Sequence, residues 1–302
     1  MQSGLSILQK GKRVDAPEIR FPDPSGRGIR ITNYPQISNA LSGSSHTAMT
    51  YRQKIYGWIP LLPIIVLLSS PAAAQSDPSS IRLDLGSSWQ ARNKVQIPND
   101  DQGDRFSLDD LAGDGPWATV RAEGIWSINE KHGVRIVLAP FSYTEKGGLD
   151  QQTRFAGASY SPDTPVKGRY TFNSWRVGYR YHLYAEPDWD FWVGGTLKVR
   201  DAGVKLSQDG VSSQDDDVGV VPLLYLAVAY RFNEEWSIAA DMDGLAGGPG
   251  RALDLGIRLN YDLDDAWQLG LGYRTLEGGA DTDDVYNFAW FNTVSLSLAR
   301  RF

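Results

Sequence analysis

Asp241 and Asp243 stand two residues apart in the segment Trp236-Ser-Ile-Ala-Ala-Asp-Met-Asp243, and Asp254 follows in the next alternating segment. Residues two apart on an extended strand share a face. Carboxylates brought together in this way repel unless cations intervene. They can divide acid and base roles between them, hold ion pairs, or line an ion path. Asp283 and Asp284 form a second acidic pair. Cations of matching placement are plentiful: Arg82, Arg121, Arg135, Arg176, Arg180, Lys198, Arg200, Arg231, Arg258 and Arg274 lie in alternating segments, as do the acids Asp84, Glu123 and Asp262. Arg258 and Arg274 are the expected partners of the Asp241, Asp243 and Asp254 group, because they lie on the following segments.

Other chemistries find little support. The chain has no cysteine, so it carries no disulfide framework, thiolate metal site or cysteine nucleophile. Only His132 and His182 stand in the folded part, and no G-x-S-x-G nucleophile elbow accompanies them. Paired carboxylates remain the one route to catalysis, and ion pairing explains them more simply. The expectation is a protein that is not an enzyme and needs no cofactor.

The elements that must position these charges are strands. After Ser80 the apolar period is two, interrupted by turn-forming residues. Ten segments follow: 81–92, 116–128, 133–145, 168–184, 189–206, 218–232, 236–245, 251–263, 267–276 and 286–302. In 251–263, Leu253, Leu255, Ile257, Leu259, Tyr261 and Leu263 share one face, while Asp254, Arg258, Asn260 and Asp262 share the other. Four connections are tight and polar: Asn129-Glu-Lys-His132, Glu186-Pro-Asp-Trp189, Asn233-Glu-Glu-Trp236 and Asp264-Asp-Ala-Trp267. Three of them deliver a Trp to the start of a strand, which puts Trp189, Trp236 and Trp267 at one rim. An indole favours a membrane–water boundary. Tyr286, Phe288 and Trp290 form a second aromatic stripe, expected at the opposite rim.

Alternation alone fits two barrels. A soluble lipocalin-like barrel turns its apolar face inward; a membrane barrel turns it outward. Two further signals separate them. Arg52 and Lys54 precede an apolar run from Trp58 to Leu68, followed by Ser69-Ser-Pro-Ala-Ala-Ala74. A positive flank, a short apolar core and an A-x-A ending are the parts of a secretory signal peptide. The run is shorter than the ~20 residues a spanning helix needs. Residues 49–74 are therefore expected to be a signal peptide cleaved after Ala74. Residues 1–48, rich in Gly, Pro and Ser and upstream of Met49, are expected to be a non-native or disordered extension. Residues 75–302 form the barrel domain. Of 30 Lys/Arg and 36 Asp/Glu, 8 and 3 fall before residue 75, which leaves 22 and 33 and a net charge of −11. Such a balance argues against nucleic-acid binding.

The second signal is the end of the chain. Asn292-Thr-Val-Ser-Leu-Ser-Leu-Ala-Arg-Arg-Phe302 alternates apolar Val294, Leu296 and Leu298 with small polar residues and closes on an aromatic. This resembles the terminal strand of bacterial outer-membrane β-barrel proteins, of the small OmpA/OmpX/OmpW-like class, here with about ten strands. The resemblance implies an all-β, membrane-spanning antiparallel up-and-down barrel with short periplasmic turns and longer outer loops, in a Gram-negative cell envelope. It implies outer-membrane lipid and lipopolysaccharide as surroundings, and the barrel-assembly machinery as a partner that reads Phe302. Barrel hydrolases that use His resemble one another in placing it towards the outer rim, which neither His132 nor His182 matches.

With apolar faces towards lipid, Arg121, Glu123, Arg176, Arg180, Lys198, Arg200, Asp241, Asp243, Asp254, Arg258 and Arg274 face the lumen. Two readings follow. In the first, these charges pair across a narrow, filled barrel and the protein has a structural or surface-interaction role. In the second, they line a narrow channel for small ions or solutes. The first is preferred, because ten strands enclose far less than the 16–18 strands that leave an aqueous channel. The loops 93–115, 207–217 and 277–285 are acidic. Hard divalent cations suit such oxygen-rich loops, although the spacing matches no calcium loop and solvated, mutually repelling loops explain the acids better.

Overall fold

The computed structural model describes residues 78–302 apart from Pro249. The extension 1–48, the export segment 49–74 and its cleavage after Ala74 lie outside the described residues. The elements are β1 (Ser80–Gln96), β2 (Phe106–Ser107), α1 (Leu108–Ala112), β3 (Trp117–Ser127), β4 (His132–Ala139), β5 (Ser142–Gly147), β6 (Thr153–Phe155), β7 (Ala158–Tyr160), β8 (Val166–Ala185), β9 (Trp189–Gln208), β10 (Val211–Arg231), β11 (Trp236–Gly247), β12 (Gly250–Asp262), β13 (Trp267–Asp281) and β14 (Tyr286–Arg301).

Ten antiparallel strands make the wall, in the order β1, β3, β4, β8, β9, β10, β11, β12, β13, β14, and β14 pairs back onto β1. The closing register runs from Ser80↔Arg301 to Gln96↔Tyr286. The Phe302 amide completes it by donating to the Ser79 carbonyl at 2.9 Å. Closure pairs the first wall strand with the last, which is the condition for a sheet surrounded by hydrocarbon. β5 continues the β4 wall after an interruption at Pro140 and Phe141 and pairs with the far half of β8. A proline within a strand lacks the donor that the ladder needs.

The faces are inverted relative to a soluble protein. Leu85, Leu138, Val177, Leu197, Leu224, Ile257, Leu271 and Leu296 are exposed on the outside. Asp84, Arg121, Glu123, Arg135, Arg176, Asp243 and Asp254 are buried inside. Exposed apolar patches on soluble monomers stay within a few hundred Å²; this one encircles the wall.

Three of the tight turns share one device. The side-chain oxygen at the first position accepts the amides two and three residues on: Asn129 from Lys131 and His132 at 3.0 and 2.9 Å, Asn233 from Glu235 and Trp236 at 2.9 and 2.7 Å, and Asp264 from Ala266 and Trp267 at 2.8 and 2.7 Å. This side-chain mimic of a backbone turn is why Asn and Asp open them. The turn rim carries Trp189, Trp236 and Trp267, each about 40 % exposed at 42, 39 and 37 %.

The opposite, loop end departs from expectation. β9 and β10 run through the stretch expected as loop 207–217 and turn at Asp209-Gly210, where both residues have positive φ. β13 likewise extends to Asp281 and leaves only 282–285 as a turn. Two connections remain long, and both fold inward. The β1–β3 connection carries β2 and α1; the β5–β8 connection carries the β6–β7 hairpin. Val95, Phe106, Leu108, Leu111, Tyr143, Phe155, Tyr160, Tyr170, Leu206 and Phe291 pack there into one buried apolar cluster that fills part of the mouth. α1 starts on Ser107, whose hydroxyl accepts the Asp110 amide. Gln90 fastens it from the wall by donating to the Leu108 and Gly113 carbonyls at 3.2 and 2.6 Å. Gly147 is required where the end of α1 meets β5, because a Cβ there would lie 1.7 Å from the Leu111 carbonyl oxygen.

Candidate functional site: a charged layer across the lumen

Inward side chains from eight strands meet in mid-barrel. Asp243 of β11, 1 % exposed, accepts from Arg135 Nη1 of β4 at 2.8 Å, Arg176 Nη1 of β8 at 2.7 Å and Thr196 Oγ1 of β9 at 2.7 Å. Asp254 of β12 takes Arg176 on one oxygen and Arg274 of β13 on the other. Arg274 also forks onto both oxygens of Asp241 at 2.8 Å. Glu123 of β3 receives Arg82 of β1 at 2.6 Å, Arg121 at 2.8 Å and Arg135 at 3.2 Å. The Arg135 guanidinium lies 4.5 Å from the Tyr225 ring centre. Gly256 makes room for this arrangement: a Cβ there would stand 2.3 Å from Arg274 Nη2.

The geometry follows from barrel width. Eight strands leave an interior that ordinary side chains fill; ten leave somewhat more, and arginine is long enough to span it. Its planar fork engages two carboxylates at once, as Arg176 and Arg274 do. Each acid is held by two or three arginines, so the layer is a continuous cross-brace.

All the lumen residues expected from sequence face inward, but their pairing differs in part. Arg274 joins the acids as expected. Arg258 does not: its Nε donates to Asn260 Oδ1 at 2.9 Å, and the cations that reach Asp243 come from β4 and β8 on the far wall. Strand adjacency suggested Arg258, whereas the short lumen lets arginines from across the barrel compete. Arg180 lies over the Trp192 ring at 4.4 Å, Lys198 over the Phe172 ring at 4.6 Å, and Arg200 pairs with Asp217. Arg135 and Arg82 complete the layer; their alternation with apolar residues is the signal that marks them.

The outward aromatics at the loop end are also engaged. Trp290 Nε1 donates to Thr275 Oγ1 at 2.7 Å. Arg251 lies over Phe288 and Arg105 over Tyr286, at 4.9 and 3.6 Å from the ring centres. His132 Nδ1 is 2.6 Å from the Tyr179 hydroxyl, and His182 Nε2 is 2.9 Å from Asp190 Oδ1; both lie at the turn end.

Several acids expected as solvated loop residues hold partners instead. Asp104 accepts the Arg154 amide at 2.8 Å and its guanidinium at 2.7 and 3.1 Å, while its own amide donates to the Arg154 carbonyl at 2.9 Å. This latches the β1–β3 connection to the β6–β7 hairpin. Among the described residues no group of three or more His, Asp or Glu side chains is arranged to hold a metal ion. The hydrogen bonds from Arg154 hold the Asp104 carboxyl below its ordinary range. A depressed carboxylate stabilises the fold above its unfolded pKa and loses that contribution as pH falls through its folded pKa. The latch is therefore predicted to weaken progressively below about pH 4. Hydrogen exchange of residues 97–116 should rise in that range for the wild type, and Asp104→Asn should show the raised exchange already at pH 7. Equal protection in both proteins at pH 7 would contradict it.

No protein-family model and no curated protein matches the chain. Solved structures do. The outer-membrane protease OmpT of Escherichia coli matches with a TM-score of 0.49 at 10% identity, over 77% of this chain and 99% of that one. Ail, the attachment invasion locus protein of Yersinia pestis, matches with a TM-score of 0.32 at 12% identity, over 74% and 99%. The toluene transporter TodX of Pseudomonas putida matches with a TM-score of 0.33 at 13% identity, over 76% and 91%. The chain has the architecture of an outer-membrane β-barrel. That statement rests on the closed ten-strand wall and its inverted faces; the matched proteins, at such low identity and TM-score, assign it no role.

Proposed function

We propose that the protein is an integral barrel of a Gram-negative outer membrane, with a structural or surface-interaction role and no continuous open pore. The observation that carries this reading is the charged layer. A carboxylate such as Asp243, braced by Arg135, Arg176 and Thr196 from three other strands, serves rigidity better than conduction. The apolar cluster at the loop end adds a second obstruction and presents fixed, latched connections to the surroundings. Export through a signal peptide cleaved after Ala74, delivery to barrel-assembly machinery through the strand ending in Phe302, contact with lipopolysaccharide, and divalent cations at the acidic loop end belong to the same proposal.

The experiment is fractionation of expressing cells on a density gradient, followed by electrophoresis with and without heating. The protein should travel with the outer membrane, begin at Gln75, and migrate faster unheated, as an intact barrel does. Recovery in the soluble periplasmic fraction would overturn the reading.

A narrow channel is the second reading. Cavities of about 260 Å³ on the turn side and 480 Å³ on the loop side line the barrel interior. Conduction would require the Asp241, Asp243, Asp254, Arg258 and Arg274 region to open between them.

A further inference from the structure

The loop-side cavity has a wall unlike the rest of the barrel. β10 pairs with β9 along its whole length, from Val211↔Gln208 to Tyr230↔Trp189. Its pairing with β11 covers only Leu224↔Gly244 to Arg231↔Ser237. Beyond Leu224, towards the loop end, the two strands part. Pro222, which has no amide to donate, stands at the parting, and Gly244, Gly247 and Gly248 mark the β11 side. A comparable parting occurs between β3 and β5, because the β3–β4 ladder stops at Ala122↔Leu138 and β5 pairs with β8. There Trp117 stacks on Tyr143 at 3.9 Å and donates to Glu145 at 2.9 Å, and so covers it. The β10–β11 parting instead borders the cavity of about 480 Å³, lined from both sides of the wall by residues such as Val220, Leu223, Leu245, Ala252 and Leu276. Val220 and Leu245 are 67 and 52 % exposed on the apolar exterior.

The floor of this cavity holds a cation that no carboxylate pairs directly, although Asp243 and Asp254 line the same cavity. Lys198 is only 4 % exposed. It touches the Phe172 ring, and among the described residues it makes no ion pair or hydrogen bond. The carboxylates nearest to it in the wall are committed: Asp243 to Arg135 and Arg176, and Asp254 to Arg176 and Arg274. Arg200, two residues on and on the same face, pairs with Asp217 and keeps a buried Nε without a hydrogen bond. A buried ammonium is unfavourable without an anion; the cavity it faces is mostly apolar, and the carboxylates that also line it, Asp243, Asp254 and Glu277, are each paired with arginines. The size lies within the ~300–1,000 Å³ of ordinary ligand pockets.

We infer that this cavity binds an amphipathic monocarboxylate, its head group on Lys198 and its apolar tail leaving through the β10–β11 parting into the surrounding lipid. The inference rests on the reading that the barrel spans the outer membrane. One carboxylate balances one ammonium, and Arg200 Nε offers a second donor above it. The small residues Gly219, Ala252 and Gly278 leave the tail its space.

The test uses the protein extracted from outer membranes and placed in phosphatidylcholine nanodiscs, with insertion checked by heat-dependent migration. Decanoate, hexadecanoate and decanol are titrated calorimetrically. Wild type should bind decanoate saturably and hexadecanoate at least as tightly, because the tail has an exit. Lys198→Met should weaken both carboxylates at least tenfold and change decanol less than twofold. Gly219→Leu, whose Cβ would stand in ordinary contact with the Arg200 guanidinium at 3.6 Å and Asp217 Oδ2 at 3.9 Å, should weaken all three. Equal decanoate affinity in wild type and Lys198→Met, or no saturable binding by the inserted wild type, would overturn the site while leaving the barrel standing. A sharp loss between decanoate and hexadecanoate would overturn the lateral exit. Failure to insert at all would overturn the barrel reading itself.

Discussion

Replacing Asp243 by asparagine is expected to lower the stability of the folded barrel by about 3–5 kcal/mol, the cost of leaving buried cations without their counter-charge. Asp243 is the most enclosed acid of the layer and the meeting point of Arg135 and Arg176, which sit 108 and 67 residues away in the chain. An amide in its place keeps the shape and one acceptor but removes the charge from both guanidinium groups. Asp283, exposed in the 282–285 turn, is the control: Asp283→Asn should move stability by less than about 0.5 kcal/mol. Urea unfolding in lipid vesicles reads both. A loss at Asp243 no larger than at Asp283 would show that the charges are solvated and not braced.

The second large effect lies on the opposite face. Leu255→Arg is expected to cost about 2–4 kcal/mol in vesicles, the penalty for a charge facing lipid near the bilayer midplane. Leu255 is 42 % exposed on β12, between the inward Asp254 and Gly256. On a barrel surrounded by water, an arginine at so open a position would be neutral. The same urea titration therefore tests which face meets lipid, independently of the lumen.

How much of this could be read from sequence depended on what surrounds each segment. Strand 251–263 was legible, and β12 spans Gly250–Asp262, because lipid on one side and lumen on the other impose a strict period of two. Beyond the hydrocarbon both faces meet polar surroundings and the period disappears. That is why Ser212 to Asp217 reads as loop although it is the end of β10. The inward folding of the β1–β3 connection was marked only by Phe106, Leu108, Leu111 and the capping pair Ser107 and Asp110, too short a pattern to stand out among its acids. Inward placement of Arg176 followed from alternation, but its partners did not. Sequence order gives neighbours along the wall, whereas Asp243 and Asp254 are reached across the lumen. Trp189, Trp236 and Trp267 were legible for the converse reason: each follows a local turn, and two of those turns are built on the same one-residue device.

The most direct test of the central claim, a barrel cross-braced by its own charges, is single-channel recording of refolded residues 75–302 in planar bilayers, alongside Asp243→Asn. The account predicts inserted protein without discrete conductance steps in the wild type, and flickering steps only where Asp243→Asn loosens the layer. Stable, ion-selective steps from the wild type would contradict it, and would make Asp241, Asp243, Asp254 and Arg274 the lining of a working pore.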